Sequence, residues 1–300
     1  MENNSSEENK FYLGRHSIAE YKSNREALES EDPAKSFDRQ NQIFPDLAPE
    51  GIELARERAR EFFAGLNPET DVLFFASSDM ARALETANIY REVAEELGFK
   101  VIEQKVRPGS LAEKIGGNKI RPVPSLSFDI KNILAQSVFN PMRVKSEINW
   151  EAVPDEERKK WEQARDIIGS DDHGSWGSNY HYHSAEVKKL FPEVETAEQL
   201  YHQQFRQIIE LIKFAKEKID EAKDMKEFKG KKIKVIGFGH ENYLSFALEK
   251  YFDEHSIGNC EMINFNMSGE KIFLEKRGEK KEIESVELTG KIETKTDNPT

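Results

Sequence analysis

A single cysteine, Cys260, stands among the 300 residues, so no internal disulfide is open to the chain and a packed core has to hold the fold. One thiol with no partner fits a reducing, cytoplasmic compartment. No apolar run approaches the length of a membrane span. The first ten residues, Met1 to Lys10, lack the basic start and apolar centre of a signal peptide and read as a disordered tail; the polar stretch from Lys291 to Thr300 reads the same way. Positive charge is in deficit, with 44 Lys and Arg against 56 Asp and Glu and a formal net charge of −12. Nucleic acids and anionic membranes need a basic field, so both are excluded as partners. An anionic small molecule would have to be held by a local cation cluster that outweighs this global field. Internal repeats and low-complexity domains are also missing. Three hundred residues suffice for one large domain with an insertion.

Phe11-Tyr12-Leu13-Gly14 is an apolar run leading straight into Arg15-His16-Ser17, a pattern that predicts a buried strand delivering a cation and an imidazole to a sheet's end. Residues 18–44 are polar and aperiodic and read as a long loop with a helical turn or two beside that pair. Leu47-Ala48-Pro49-Glu50-Gly51 opens a helix, with the proline where its missing N–H costs nothing. Ile52, Ala55, Ala59, Phe62, Phe63 and Leu66 give that helix one apolar face. Asp71 to Ala76 is almost wholly apolar, as a parallel strand buried on both sides requires. A second helix is expected from about Asp79 to Leu97 with Gly98 as its stop. Arg82 falls in its first turn, where a cation opposes the helix dipole and calls for an anion to offset it. Val101-Ile102 predicts a third strand, and the strand-helix alternation predicts a parallel sheet with right-handed crossovers.

From Arg107 to about Pro192 the regularity breaks, and all three tryptophans, Trp150, Trp161 and Trp176, fall here. This segment reads as an inserted cap. Asp171-Asp172-His173 with His181 and His183 has ligand chemistry but no regular metal spacing, so a polar, aromatic loop is expected and no metal or cofactor is assigned. A long helix follows over roughly 197–225, then a strand over Ile233 to Gly239 that ends in a second imidazole, His240. A helix from Asn242 to Phe252, a strand from Glu261 to Met267 and a hairpin turning at Arg277-Gly278 complete residues 11–290.

Two strands ending in His16 and His240, with Arg15 beside the first and Arg82 between them, resemble the histidine phosphatase superfamily of the phosphoglycerate mutase-like fold. Arg15-His16 stands in the place of that family's Arg-His-Gly signature, with Ser17 for its glycine. The segment from Leu47 to Gly51 is similar to its Leu-Thr-x-x-Gly helix start. Ser77 to Ala87 is similar to its Ser-Ser-x-x-x-Arg-Ala-x-x-Thr-Ala block, and Gly239-His240 to its late imidazole element. The resemblance covers roughly residues 10–115 and 190–270 and implies a three-layer α/β sandwich, a mostly parallel sheet with helices on both faces.

It also implies a phosphomonoesterase that needs no metal and works through a phosphohistidine on a small phosphorylated substrate. In that reading His16 is the nucleophile, Arg15, Arg82, Ser17 and His240 hold the phosphoryl group, and a carboxyl group protonates the leaving oxygen. Glu113, in a Leu-x-Glu-x-x-Gly segment, is the preferred acid; Glu241, directly after His240, is the alternative. The chemistry agrees, since guanidinium binds phosphate through a fixed fork and neutral imidazole attacks phosphorus. Ile18-Ala19-Glu20-Tyr21 replaces the mutase Ser-x-Trp-Asn loop. Two further readings stay open: a phosphotransferase or mutase of the same fold, and a silent protein that binds a phosphorylated ligand. Oligomeric state is not legible.

Overall fold

The computed structural model describes residues 9–19, 47–123, 149–170, 176–199, 202, 206, 230–254, 256–268 and 271–283. Five strands run parallel: β1 (Asn9–Arg15), β2 (Asp71–Ser77), β3 (Lys100–Val101), β4 (Ile120–Pro122) and β5 (Lys232–Gly239). Three more, β6 (Met262–Ser268), β7 (Lys271–Lys276) and β8 (Glu279–Glu282), extend the sheet antiparallel from β1. The order across the eight-stranded sheet is β3-β2-β5-β1-β6-β7-β8, and β4 pairs with the far end of β2. A polar hairpin closes it, with Arg277 and Gly278 both at positive φ, as a tight two-residue turn between twisted strands requires.

Alternation along the strands sends side chains to two cores. Val72, Phe74 and Ala76 join Phe11, Leu13 and Val235 on one face; Leu73 and Phe75 join Tyr12, Ile236 and Phe238 on the other. Helices α1 (Pro49–Phe63) and α2 (Ala81–Glu96) cover the second face, and α6 (Glu241–Phe252) covers the first through Leu244, Ala247 and Leu248. The sheet is thus buried on both sides, which is why β2 carries no polar side chain between Asp71 and Ser77. Ile52 does not share the buried face of α1: it is exposed, and Gly51 takes the inward position beside Ala55, Ala59 and Phe63.

Residues 107–123, read from the sequence as the start of the insert, supply α3 (Leu111–Gly116) and β4, and β4 lies in the main sheet. Pairing with β2 requires only three residues, too few for a periodic signal. Helices α4 (Asp155–Ile168) and α5 (Trp176–Leu190) pack through Ala164, Ile168, Tyr180 and Val187 into a separate small core, joined by Phe191 and Val194. Trp150 and Trp161 lie ring to ring at 4.5 Å beside it. An ion pair between His181 of α5 and Glu249 ties this unit to α6. Asp171-Asp172-His173, most of the expected loop over 18–44, most of the expected helix over 197–225, residues 1–8 and the stretch from Lys291 lie outside the described residues, whereas Asn9 and Lys10, read as the end of a disordered tail, open β1 by pairing with β6. Among the described residues no cluster has the makings of a metal site, and no helix is long and apolar enough to cross a membrane.

Candidate active site

Three adjacent parallel strands end in register. Arg15 of β1 is opposite Gly239 of β5, and Ser77 of β2 is opposite Phe238. One residue further on, the ladder continues: His16 N–H donates to Gly239 O at 3.0 Å and Ser78 N–H to Phe238 O at 2.9 Å. His16, His240 and Ser78 therefore emerge side by side at the carboxyl end of the sheet, where open α/β sheets bind their ligands. The two imidazole centroids are 5.1 Å apart, close to the roughly 4.8 Å between neighbouring strands. The sheet itself sets the spacing of the two rings.

Arg82, in the first turn of α2, enters this gap from the helix side. Its Nε donates to His16 Nε2 at 3.1 Å and its Nη2 to His240 Nδ1 at 3.2 Å. Thr86, one turn on, secures both the guanidinium's helix and the nucleophile loop: its hydroxyl donates to Arg82 O at 2.7 Å and accepts Ser17 N–H at 3.0 Å. All four polar groups, His16, Arg82, Thr86 and His240, are buried.

His16 has its tautomer fixed by contact. Nδ1 lies 2.6 Å from Ser17 O, which can only accept, so Nδ1 carries the proton and Nε2 keeps its lone pair towards Arg82. Burial, and then the Arg82 charge, hold this imidazole well below its ordinary pKa of 6.5, with the hydrogen bond to Ser17 O pulling the other way and Arg15 adding to the depression. The neutral form of the ring is thus favoured. An unprotonated imidazole nitrogen held against a guanidinium has the chemistry of a nucleophile next to a group that binds anions.

Arg15 approaches from the opposite side. Its Nη1 donates to Ile257 O at 2.8 Å and pairs with Glu241 Oε2 at 3.2 Å, and its Nε is buried with no hydrogen-bond partner among the described residues. Glu241, the first residue of α6, is itself buried. Ser17 has its hydroxyl turned away, donating to Gly51 O at 2.7 Å. That contact belongs to a clamp on the residues after His16: Ala48 N–H donates to Ile18 O, and Ala19 bridges Leu47. A Cβ on Gly51 would meet Ile18 O at 2.2 Å, so only glycine lets α1 come this close.

Glu113 is elsewhere in its duties. It is exposed, its N–H donates to Ser110 Oγ at 3.2 Å, and its carboxylate accepts Gly109 N–H at 2.5 Å, a reciprocal cap on the start of α3. Of the residues singled out from the sequence, the fold brings together His16, Arg82 and His240 by direct hydrogen bonds, with Arg15 and Glu241 paired beside them. Sequence reasoning gave no role to Ser78, whose Oγ is 3.0 Å from His240 Nε2, nor to Thr86 or the Gly51 clamp. Their only signal was membership of the Ser77 to Ala87 and Leu47 to Gly51 segments.

No protein-family model and no curated protein matches the sequence. Solved structures do. The chain is similar to a phosphoglycerate mutase from Bacillus anthracis at 15% identity and TM-score 0.40, over 94% of this chain and 96% of that one. It is similar to a mycobacterial glucosyl-3-phosphoglycerate phosphatase in complex with VO3 at 13% identity and TM-score 0.42, over 90% and 98%. A phosphoserine phosphatase from Entamoeba histolytica, in complex with phosphoserine, is similar at 15% identity and TM-score 0.35, over 88% and 94%.

Proposed function

We propose that this chain is a member of the histidine phosphatase superfamily and hydrolyses small phosphomonoesters without a metal ion, through a phosphohistidine on His16. The observation that carries the reading is the bridge of Arg82 between His16 Nε2 and His240 Nδ1, the facing nitrogens of two buried imidazoles. A phosphoryl group entering there takes over the guanidinium's donors through its own oxygens and exposes the lone pair of His16 Nε2 for in-line attack. The Nε2–P bond forms as the ester P–O bond breaks. Arg82, Arg15 and His240 face the charge that builds on the equatorial oxygens. Water then attacks the phosphohistidine, releasing phosphate and restoring the neutral ring.

The leaving oxygen needs a proton, and Glu241 is better placed to give it than Glu113. Glu241 is buried and adjoins His240, whereas Glu113 is exposed and spends its carboxylate on a helix cap. In its protonated form Glu241 acts as acid in the first step, and as base towards water in the second. Arg15, now shared between Glu241 and Ile257 O, turns its unpartnered Nε to the substrate.

The test is turnover of an aryl phosphate in excess chelator, with acid-stable and base-stable phosphoprotein separated by quenching. We expect phosphate release from the unaltered chain, a base-stable phosphoryl label on it, and loss of both in His16→Ala. Glu241→Gln should lower turnover of a poor leaving group about 100-fold or more, and Glu113→Gln should leave it nearly unchanged. Equal effects of the two substitutions would remove the assignment of the acid. Label transferred to an added alcohol rather than to water would make the chain a phosphotransferase. No label with any phosphomonoester would make it a silent binder.

A further inference from the structure

Ser78 is fully buried, one residue beyond β2, and its Oγ lies between His240 Nε2 at 3.0 Å and the N–H of Met80 at 3.4 Å. The opposite nitrogen of the same ring, Nδ1, is 3.2 Å from Arg82 Nη2. A guanidinium has donors only, so Nδ1 must be the acceptor, and the neutral ring carries its proton on Nε2 and gives it to Ser78. His16 holds the reverse tautomer, with Nδ1–H on Ser17 O and Nε2 open. Both histidines turn an unprotonated nitrogen towards one arginine.

This arrangement suits an empty pocket and not a filled one. Arg15 and Arg82 leave one net positive charge with Glu241 ionised and two with it protonated, whereas a phosphomonoester carries about −1.5 to −2 near neutrality. An oxyanion that draws Arg82 Nη2–H away from His240 also brings oxygen lone pairs up to the lone pair of Nδ1. Two acceptors then face each other in a buried site, which is unfavourable unless a proton joins them. Among the described residues, the charged and titratable groups at this corner of the site include Arg82 from α2, His16 and Arg15 from β1, and Glu241 at the start of α6. Guanidinium charge beside the ring disfavours a second proton on it, and an arriving dianion favours one.

Resting on the phosphoryl-pocket reading above, we propose that Ser78 is a positioning residue that holds His240 as the Nε2–H tautomer, and that phosphoryl binding carries one proton from solvent onto His240 Nδ1. The ring becomes an imidazolium that donates to Ser78 from one nitrogen and to the oxyanion from the other. No bond other than Nδ1–H is made in this step.

The experiment follows imidazole nitrogens directly. The full chain, labelled with nitrogen-15 in its seven histidines, is titrated with tungstate, a tetrahedral dianion that does not itself titrate near neutrality, and long-range proton–nitrogen spectra are recorded. The His240 resonances are those missing from His240→Gln. Without tungstate they should show a protonated Nε2 and a bare Nδ1; with saturating tungstate both nitrogens should be protonated. Ser78→Ala should lose the single-tautomer signature and bind tungstate about tenfold more weakly, and Ser78→Thr, which keeps the hydroxyl, should restore both.

A His240 ring already charged before tungstate, or still neutral after it, overturns the proposal and leaves the pocket reading standing. So does a tautomer unchanged in a folded Ser78→Ala. If Ser78→Ala does not fold, the titration of the unaltered chain still decides the protonation, and a His240 tautomer mixture in Ser78→Thr overturns the role of Ser78. No tungstate binding by the unaltered chain overturns the pocket reading, and this proposal with it.

Discussion

His16 is buried where protonation is costly, and that has a consequence for stability as well as chemistry. Its folded pKa lies well below 6.5, because burial and then Arg82 oppose the charged form. Between those two pKa values the unfolded chain binds a proton that the folded chain does not, so stability rises with pH there and falls as the solution is acidified. Denaturant unfolding followed from neutral pH downwards should show a loss beginning below about pH 6.5, with a slope of up to about 1.4 kcal/mol per pH unit from this ring, and His16→Asn should flatten it. The nucleophile should also stay active at mildly acid pH, where an ordinary histidine would be charged. Single residues of this kind were legible in advance as types: Arg15-His16, Arg82 and His240 carry chemistry that no core needs. What the residue types did not reveal was orientation. Ser17 was read as a phosphate contact and instead ties its hydroxyl to Gly51, and Glu113 caps a helix, because each short polar side chain takes the nearest backbone partner the fold offers.

The segment between α6 and β6 shows what an element contributes to a side chain it does not own. Ile257 O holds the Arg15 guanidinium, Glu261 O accepts Arg15 N–H, and Cys260 N–H donates to Arg15 O. The segment is in turn fastened by Lys276 of β7, whose side chain is buried and pairs with both Glu254 and Glu261. Lys276→Met keeps the apolar stem and strips the charge, leaving the half-buried Glu254 and Glu261 with the exposed Arg277 as their remaining cation among the described residues. Thermal or denaturant unfolding should show a loss of about 2 kcal/mol, less than for a fully buried pair because both glutamates still see water. Since the anchor of Arg15 loosens, KM for a phosphomonoester should rise several-fold while kcat changes little, and Lys276→Arg should recover part of both. The strands and helices themselves could be read from periodicity: the buried runs at Phe11 to Leu13 and Asp71 to Ala76 had no alternative use. Strand β4 was missed because three residues carry no period, and its place is set by pairing with β2 after the turn at Gly117.

For the molecule as a whole, a net charge of −12 surrounds a pocket whose own balance is positive. Long-range repulsion slows the approach of a dianionic ester, and salt screens that repulsion beyond about 10 Å at 0.1 M while barely touching contacts inside the buried site. Raising ionic strength from low values should therefore increase kcat/KM for a dianionic substrate about two- to threefold, with little effect on kcat. A decrease would mean that the pocket's field, not the global one, governs encounter. The architecture was legible at this level too, as an α/β sheet covered on both faces. Of the antiparallel extension, β6 was legible as a strand and β7-β8 as a hairpin, but not their pairing onto β1, since direction of pairing is decided by partners far away in the chain.

Because His16 and Ser78 each continue a hydrogen-bond ladder by one rung and His240 directly follows Gly239 of β5, the groups of the candidate site share the fate of the central ladder. Loosening of the α4–α5 unit leaves their mutual placement untouched, whereas breaking β1 from β5 disperses them at once. Turnover should then vanish in the same narrow denaturant interval as the central ladder, an all-or-nothing loss with no partly competent stage before it.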